Sequence, residues 1–111
     1  MAYDPDLAQR VREAIGDVPG LSEMAMFGGL AFLVGGSMAV TASHRGGLLL
    51  RCDPAETDAL VTAPGVERFE MRGRAMQGWL HVAPEAVEDD ADLHRWVAVG
   101  LAQAAGSADG S

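Results

Sequence analysis

Between residues 24 and 82 the chain breaks into short apolar runs separated by glycines, and that pattern limits the fold more than any other feature. Runs at 24–27, 30–34, 37–42 and 48–52 have the length of strands, and each is too short for an ordinary helix. Gly35-Gly36, between Val34 and Ser37, is a two-residue hairpin signal, because glycine accepts the positive φ such turns need. Gly28-Gly29 fits either a turn or a bulge. A loop at 43–47 separates the third run from the fourth. Two further runs, 68–71 and 79–82, flank the polar, glycine-bearing stretch 72–78, read as a loop.

The segment 24–44 carries no lysine, arginine, aspartate or glutamate, and about 20 apolar residues can cross a bilayer. Its two Gly-Gly pairs would weaken any helix there, so strands are the expected form and no membrane span is expected.

Helix signals lie around this glycine-rich centre. Asp4-Pro5-Asp6 reads as a helix start, with Leu7, Val11, Ala14 and Ile15 making one apolar stripe and Arg10, Arg12 and Glu13 on the wet face. Asp53-Pro54-Ala55-Glu56 starts a second, short helix: Asp53 caps, Pro54 needs no N–H, and Leu60 and Val61 face inward until Pro64-Gly65 ends it. Asp89, Asp90 and Asp92 suit a third helix N-terminus, and Leu93, Trp96, Val97, Gly100, Leu101 and Ala104 follow at helical spacing. The expectation is an α+β fold. Its antiparallel β-sheet has about five to six strands, and an N-terminal helix, a short middle helix and a C-terminal helix pack on it. With 111 residues, 49% of them apolar, this is one domain, spanning 3–105, with a flexible tail at 106–111.

The formal net charge is −8, which disfavours phosphate backbones at long range. The excess acid lies toward the two ends, above all at 85–92. Cys52 is the lone cysteine, so no internal disulfide can form, which fits a reducing cytoplasm. The N-terminus lacks a basic-then-apolar signal pattern.

Little in the chain points to catalysis. Cys52 precedes a helix start, where a thiol can be activated, but it is also in phase with Leu48 and Leu50 on a buried face, which is the plainer reading. His44, His81 and His94 match no metal-ligand spacing and read as surface or edge histidines. The acidic run at 85–92 lacks the pattern of a calcium loop. No phosphate-cradling or dinucleotide-binding glycine loop is present, and no serine stands in a nucleophile elbow. No catalytic residue, cofactor or metal is therefore expected. One constellation stands out: Arg68, Arg72, Arg74, Met76 and Trp79 gather around the stretch 72–78. Arginine, tryptophan and methionine are enriched at protein interfaces. The same set could stack a nucleobase and hold phosphate. The plainer alternative has Trp79 in the core and the arginines paired with Glu67 and Glu70.

The chain resembles the TfoX/Sxy family, specifically its N-terminal domain. The resembling elements, in order, are Met-Phe-Gly-Gly-Leu-Ala-Phe at 26–32, Gly36-Ser37-Met38-Ala39-Val40, the run at 48–51 and Met71-Arg72-Gly73-Arg74-Ala75-Met76. Trp79 to Val82 then runs into Pro84, and the closing helix carries Leu93, Trp96, Val97 and Ala102. The resemblance covers roughly residues 3–105. It implies an α+β fold with an antiparallel sheet and flanking helices, and the setting of regulators of natural competence, which act with partner transcription factors or by direct regulation. No catalytic residues come with it. Longer members carry a second, helical domain, and this chain is expected to stop after the first. The expected function is a non-enzymatic module that binds a protein partner. The alternatives are a nucleic-acid-binding regulator using the arginines of 72–78 and a small thiol enzyme using Cys52. Self-association through a strand edge or the Trp79 face is a further expectation.

Overall fold

A computed structural model describes residues 4–26, 28–43, 46–71 and 73–108, without the side chains of 26, 71, 75–77 and 106–108. The first helix, α1 (Pro5–Ile15), is capped as its sequence suggests: Asp4 Oδ1 accepts the Asp6 N–H at 2.9 Å, and Pro5 opens the first turn. Leu7, Ala8, Val11 and Ile15 are its buried stripe. Its wet face is less wet than its composition suggests. Arg10 donates to the carbonyls of Val87 and Glu88 and to Asp90, and so ties α1 to the start of the last helix.

Six strands follow: β1 (Leu21–Met26), β2 (Gly29–Val34), β3 (Ser37–Ala42), β4 (Leu48–Arg51), β5 (Val66–Met71) and β6 (Arg74–Val82). They form one sheet in the order β1-β2-β3-β4-β6-β5, with every pairing antiparallel. Gly35-Gly36 closes the β2–β3 hairpin, both glycines having positive φ. Of Gly28-Gly29, Gly28 lies in the turn between β1 and β2. Met26 pairs with Gly29, so Gly29 already belongs to β2, where a Cβ would stand 2.2 Å from the Ala42 carbonyl oxygen. The bulge lies further along, between Phe32 and Leu33.

The stretch 74–78 is strand rather than loop. Met71 pairs with Arg74 across a two-residue turn that ends in Gly73, and Arg74–Val82 is continuous strand. The polar composition of 74–78 conceals a strand because extended backbone needs pairing with β5 more than it needs apolar side chains. The register of β5 and β6 then slips. Arg68 pairs with Leu80 and Glu70 with Ala75, so residues 76–79 stand opposite Phe69 alone.

After β4, Asp53 caps a 3₁₀ turn (Pro54–Glu56) that leads into α2 (Thr57–Leu60), and Asp53 Oδ1 accepts the Ala55 N–H at 2.9 Å. This connection carries the chain past β6 to the edge strand β5, and β6 returns between β4 and β5. The last helix, α3 (Asp90–Ala108), starts where Asp89 Oδ1 accepts the Ala91 N–H, and it continues through residues 106–108, where a tail was expected.

Pairing places Leu30, Ala42, Leu48, Val82 and Val66 in one cross-strand row, and Phe32, Val40, Leu50 and Leu80 in another on the same face. These rows join Leu7, Val11, Leu93, Trp96 and Val97 in a single core. Fully burying one such leucine is worth about 2 kcal/mol. Side chains one residue out of phase point to the other face. Met24, Ala31, Thr41, Leu49, His81 and Glu67 form a row there, and Ala31, Met38 and Leu49 lie outside the helix-bearing core although they are buried. Among the described residues no helix is long and apolar enough to cross a membrane.

Candidate binding surface on the helix-free face

The strand register separates the arginines that the sequence groups together. Arg68 pairs with Leu80, a core residue, and so projects to the helix side, where its guanidinium meets Asp58 of α2. It pairs neither with Glu67 nor with Glu70. Trp79 projects to the opposite face. It is half-buried there and is no part of the helix-side core. Arg74 is exposed at the start of β6, next to the hairpin turn. Arg72 lies outside the described residues, as does the Met76 side chain.

Trp79 has a partner that composition alone did not suggest. Arg51 stands directly opposite it in the β4–β6 pairing, with its guanidinium carbon 5.4 Å from the ring centroid, a cation–π arrangement. Phe69 completes the group, its ring centroid 6.4 Å from that of Trp79 at an interplanar angle of 40°. The Arg51 Nε is buried and has no hydrogen-bond partner among the described residues. The sequence carried one signal for this placement: Arg51 is out of phase with Leu48, Leu50 and Cys52, which puts it on the face away from the core.

His81 shares the Trp79 face but is buried rather than superficial, because β6 is an interior strand. Its Nε2 lies 3.3 Å from the Gly46 carbonyl oxygen, and its Nδ1 lies 3.9 Å from the Glu67 carboxylate. His94 is exposed on α3, and His44 lies outside the described residues. Among the described residues no group of three or more histidines, cysteines and acids could hold a metal ion.

Cys52 belongs to the core, with 1% of its surface exposed. Burial pushes its thiol above the ordinary value; the Thr57 hydroxyl, 3.6 Å away, opposes this, and the carboxylates of Glu56 and Asp53 add to it. That setting suppresses thiolate chemistry. The Thr57 hydroxyl also accepts the Gly78 N–H at 2.9 Å, and Cys52 N donates to the Gly78 carbonyl, so this cluster fastens β6 to the chain after β4.

A cleft lies elsewhere. It holds about 440 Å³ between the 3₁₀ turn and α3, and is lined by Asp53, Glu56, Ala98, Val99, Ala102 and Gln103. It brings together two carboxylates and no histidine or cysteine, and it pairs no nucleophile with a base.

An α+β chain with helices on one face of a six-stranded antiparallel sheet, and an arginine–aromatic cluster on the other, is the class these features define. A family profile described as the TfoX N-terminal domain matches residues 13–104 of the 111, and the chain belongs to that family. No curated protein and no solved structure matches it.

Proposed function

We propose that this chain is a non-enzymatic, cytoplasmic regulatory module that works by binding another protein, in the manner of TfoX-type regulators of competence and transcription. The contact surface is the β5–β6 hairpin with the adjoining helix-free face: Arg72, Arg74, Met76 and Trp79, joined by Arg51. The observation that supports this most is the half-buried Trp79 with Arg51 over its ring, on the one sheet face without helices. Aromatic and arginine side chains in that state are the usual anchors of protein contacts. Arg68 leaves the set because Asp58 holds it on the other side.

The test is affinity capture from native lysate, comparing the wild type with Trp79→Ala and with Arg72→Ala/Arg74→Ala. It is run beside anisotropy titrations with single- and double-stranded DNA at two salt concentrations and light scattering for a dimer. A discrete protein that is retained by the wild type and lost from both variants supports the reading. A salt-dependent DNA curve that the same substitutions abolish replaces it with the nucleic-acid reading. Identical capture by all three proteins removes the surface.

A further inference from the structure

We infer that Arg51 is the centre of a carboxylate-binding site on the helix-free face, and that its occupant is an acidic side chain of the partner protein flanked by apolar residues. This deepens the proposed function and rests on it for the identity of the partner.

The chain carries sixteen acids and eight basic residues, so an arginine here is surrounded by available carboxylates. Arg10 holds Asp90, Arg12 holds Glu23, and Arg68 holds Asp58. Arg51, although more enclosed than an exposed surface arginine, has no ion pair among the described residues, and its Nε is buried with no acceptor. A guanidinium presents five donors in a planar fork, and leaving one of them dry and unpaired is unfavourable until an acceptor arrives. The fork matches a carboxylate two bonds at a time. Trp79 lies under the guanidinium at 5.4 Å, and with Nε buried the terminal nitrogens are the binding element.

The surroundings select the kind of anion. Phe69 and Trp79 form an aromatic shelf beside the cation. A carboxylate set between apolar side chains would satisfy both parts. On this face His81 and Glu67 lie together at 3.9 Å, and exposed Arg74 and Glu70 flank the far end of the β5–β6 pairing. A polyanion would meet the field of a chain with net charge −8, whereas a single carboxylate needs only the local cation.

The experiment uses the ¹⁵N-labelled full chain and three probes: acetyl-Leu-Glu-Leu-amide, acetyl-Leu-Gln-Leu-amide and inorganic phosphate. The Arg51 Nε–H and the Trp79 indole N–H should shift saturably with the glutamate peptide, about tenfold more weakly with the glutamine peptide, while the Trp96 indole stays in place. Arg51→Gln, checked for retained spectral dispersion, should lose the response, and Arg51→Lys should keep part of it. Equal response to both peptides, an unchanged response in Arg51→Gln, or no response at all overturns the inference. Phosphate binding as well as the glutamate peptide overturns the acidic side chain as occupant. These outcomes are separable from the interaction reading. Capture that depends on Trp79 but not on Arg51 removes this site alone, whereas peptide shifts without any captured partner remove the interaction reading and leave the anion site.

Discussion

Arg51 and Trp79 face each other across the β4–β6 pairing, with the guanidinium carbon 5.4 Å from the indole centroid. Such a pair can be part of the fold or part of a contact surface, and its energetics distinguish the two. A cation–π contact at a partly exposed site contributes about 0.5–1 kcal/mol, and a dry, unpaired N–H costs about 1–3 kcal/mol.

Arg51→Met keeps the methylene packing and removes both terms, so stability in urea unfolding should range from unchanged to a gain of about 2.5 kcal/mol. A loss of more than about 2 kcal/mol would mean that Arg51 is primarily a structural residue.

Thr57 is fully buried, and its hydroxyl accepts the Gly78 N–H. Thr57→Val keeps the shape and orphans that donor, so it should cost about 1–3 kcal/mol in denaturant unfolding, while Thr57→Ser restores much of the loss. Equal effects of the two substitutions would show that the hydroxyl is not what holds Gly78.

Gly100 lies inside α3, where helix propensity alone favours alanine by about 1 kcal/mol. Here a Cβ would stand 2.3 Å from the Ala39 carbonyl oxygen. Gly100→Ala should therefore destabilise, by about 1–3 kcal/mol, because helix and strand must separate. A rise in the thermal midpoint would contradict the close approach of α3 to β3.

The thiol of Cys52 has a raised pKa in the folded chain, mainly from burial. As pH climbs through 9.0, the ordinary value for an exposed thiol, the unfolded chain ionises first. The Cys52 contribution to stability is thus complete below that value and is lost above it. Alkylation by iodoacetamide at neutral pH should be slow in the native protein and fast in urea. Rapid modification of the native protein would reopen the thiol-enzyme reading.

The local signals were legible, and the long-range ones were not. Asp4 and Asp53 could be read as caps because capping is a contact over two residues, and both make it. Gly35-Gly36 could be read as a turn for the same reason, and residues 37–42 form β3 as expected. The strand at 74–78 was hidden because Arg-Ala-Met-Gln-Gly carries no apolar alternation and becomes a strand through pairing with β5. Arg68 and Trp79 looked like neighbours in one cluster. Which face each takes depends on the β5–β6 register and on four residues opposing Phe69, and neither is written in the local sequence. The Arg51–Trp79 pair went unseen because β4 lies beside β6 rather than β5.

The central claim is that a protein partner meets the hairpin side of the sheet. Site-specific photo-cross-linking in the native cell tests it most directly, with p-benzoylphenylalanine placed at exposed Arg74 or, as a control, at exposed Glu13 on α1. The expected result is a discrete protein adduct from position 74, absent from position 13 and lost when Trp79→Ala is added. Equal adducts from both positions, or adducts from position 74 to nucleic acid alone, would contradict it.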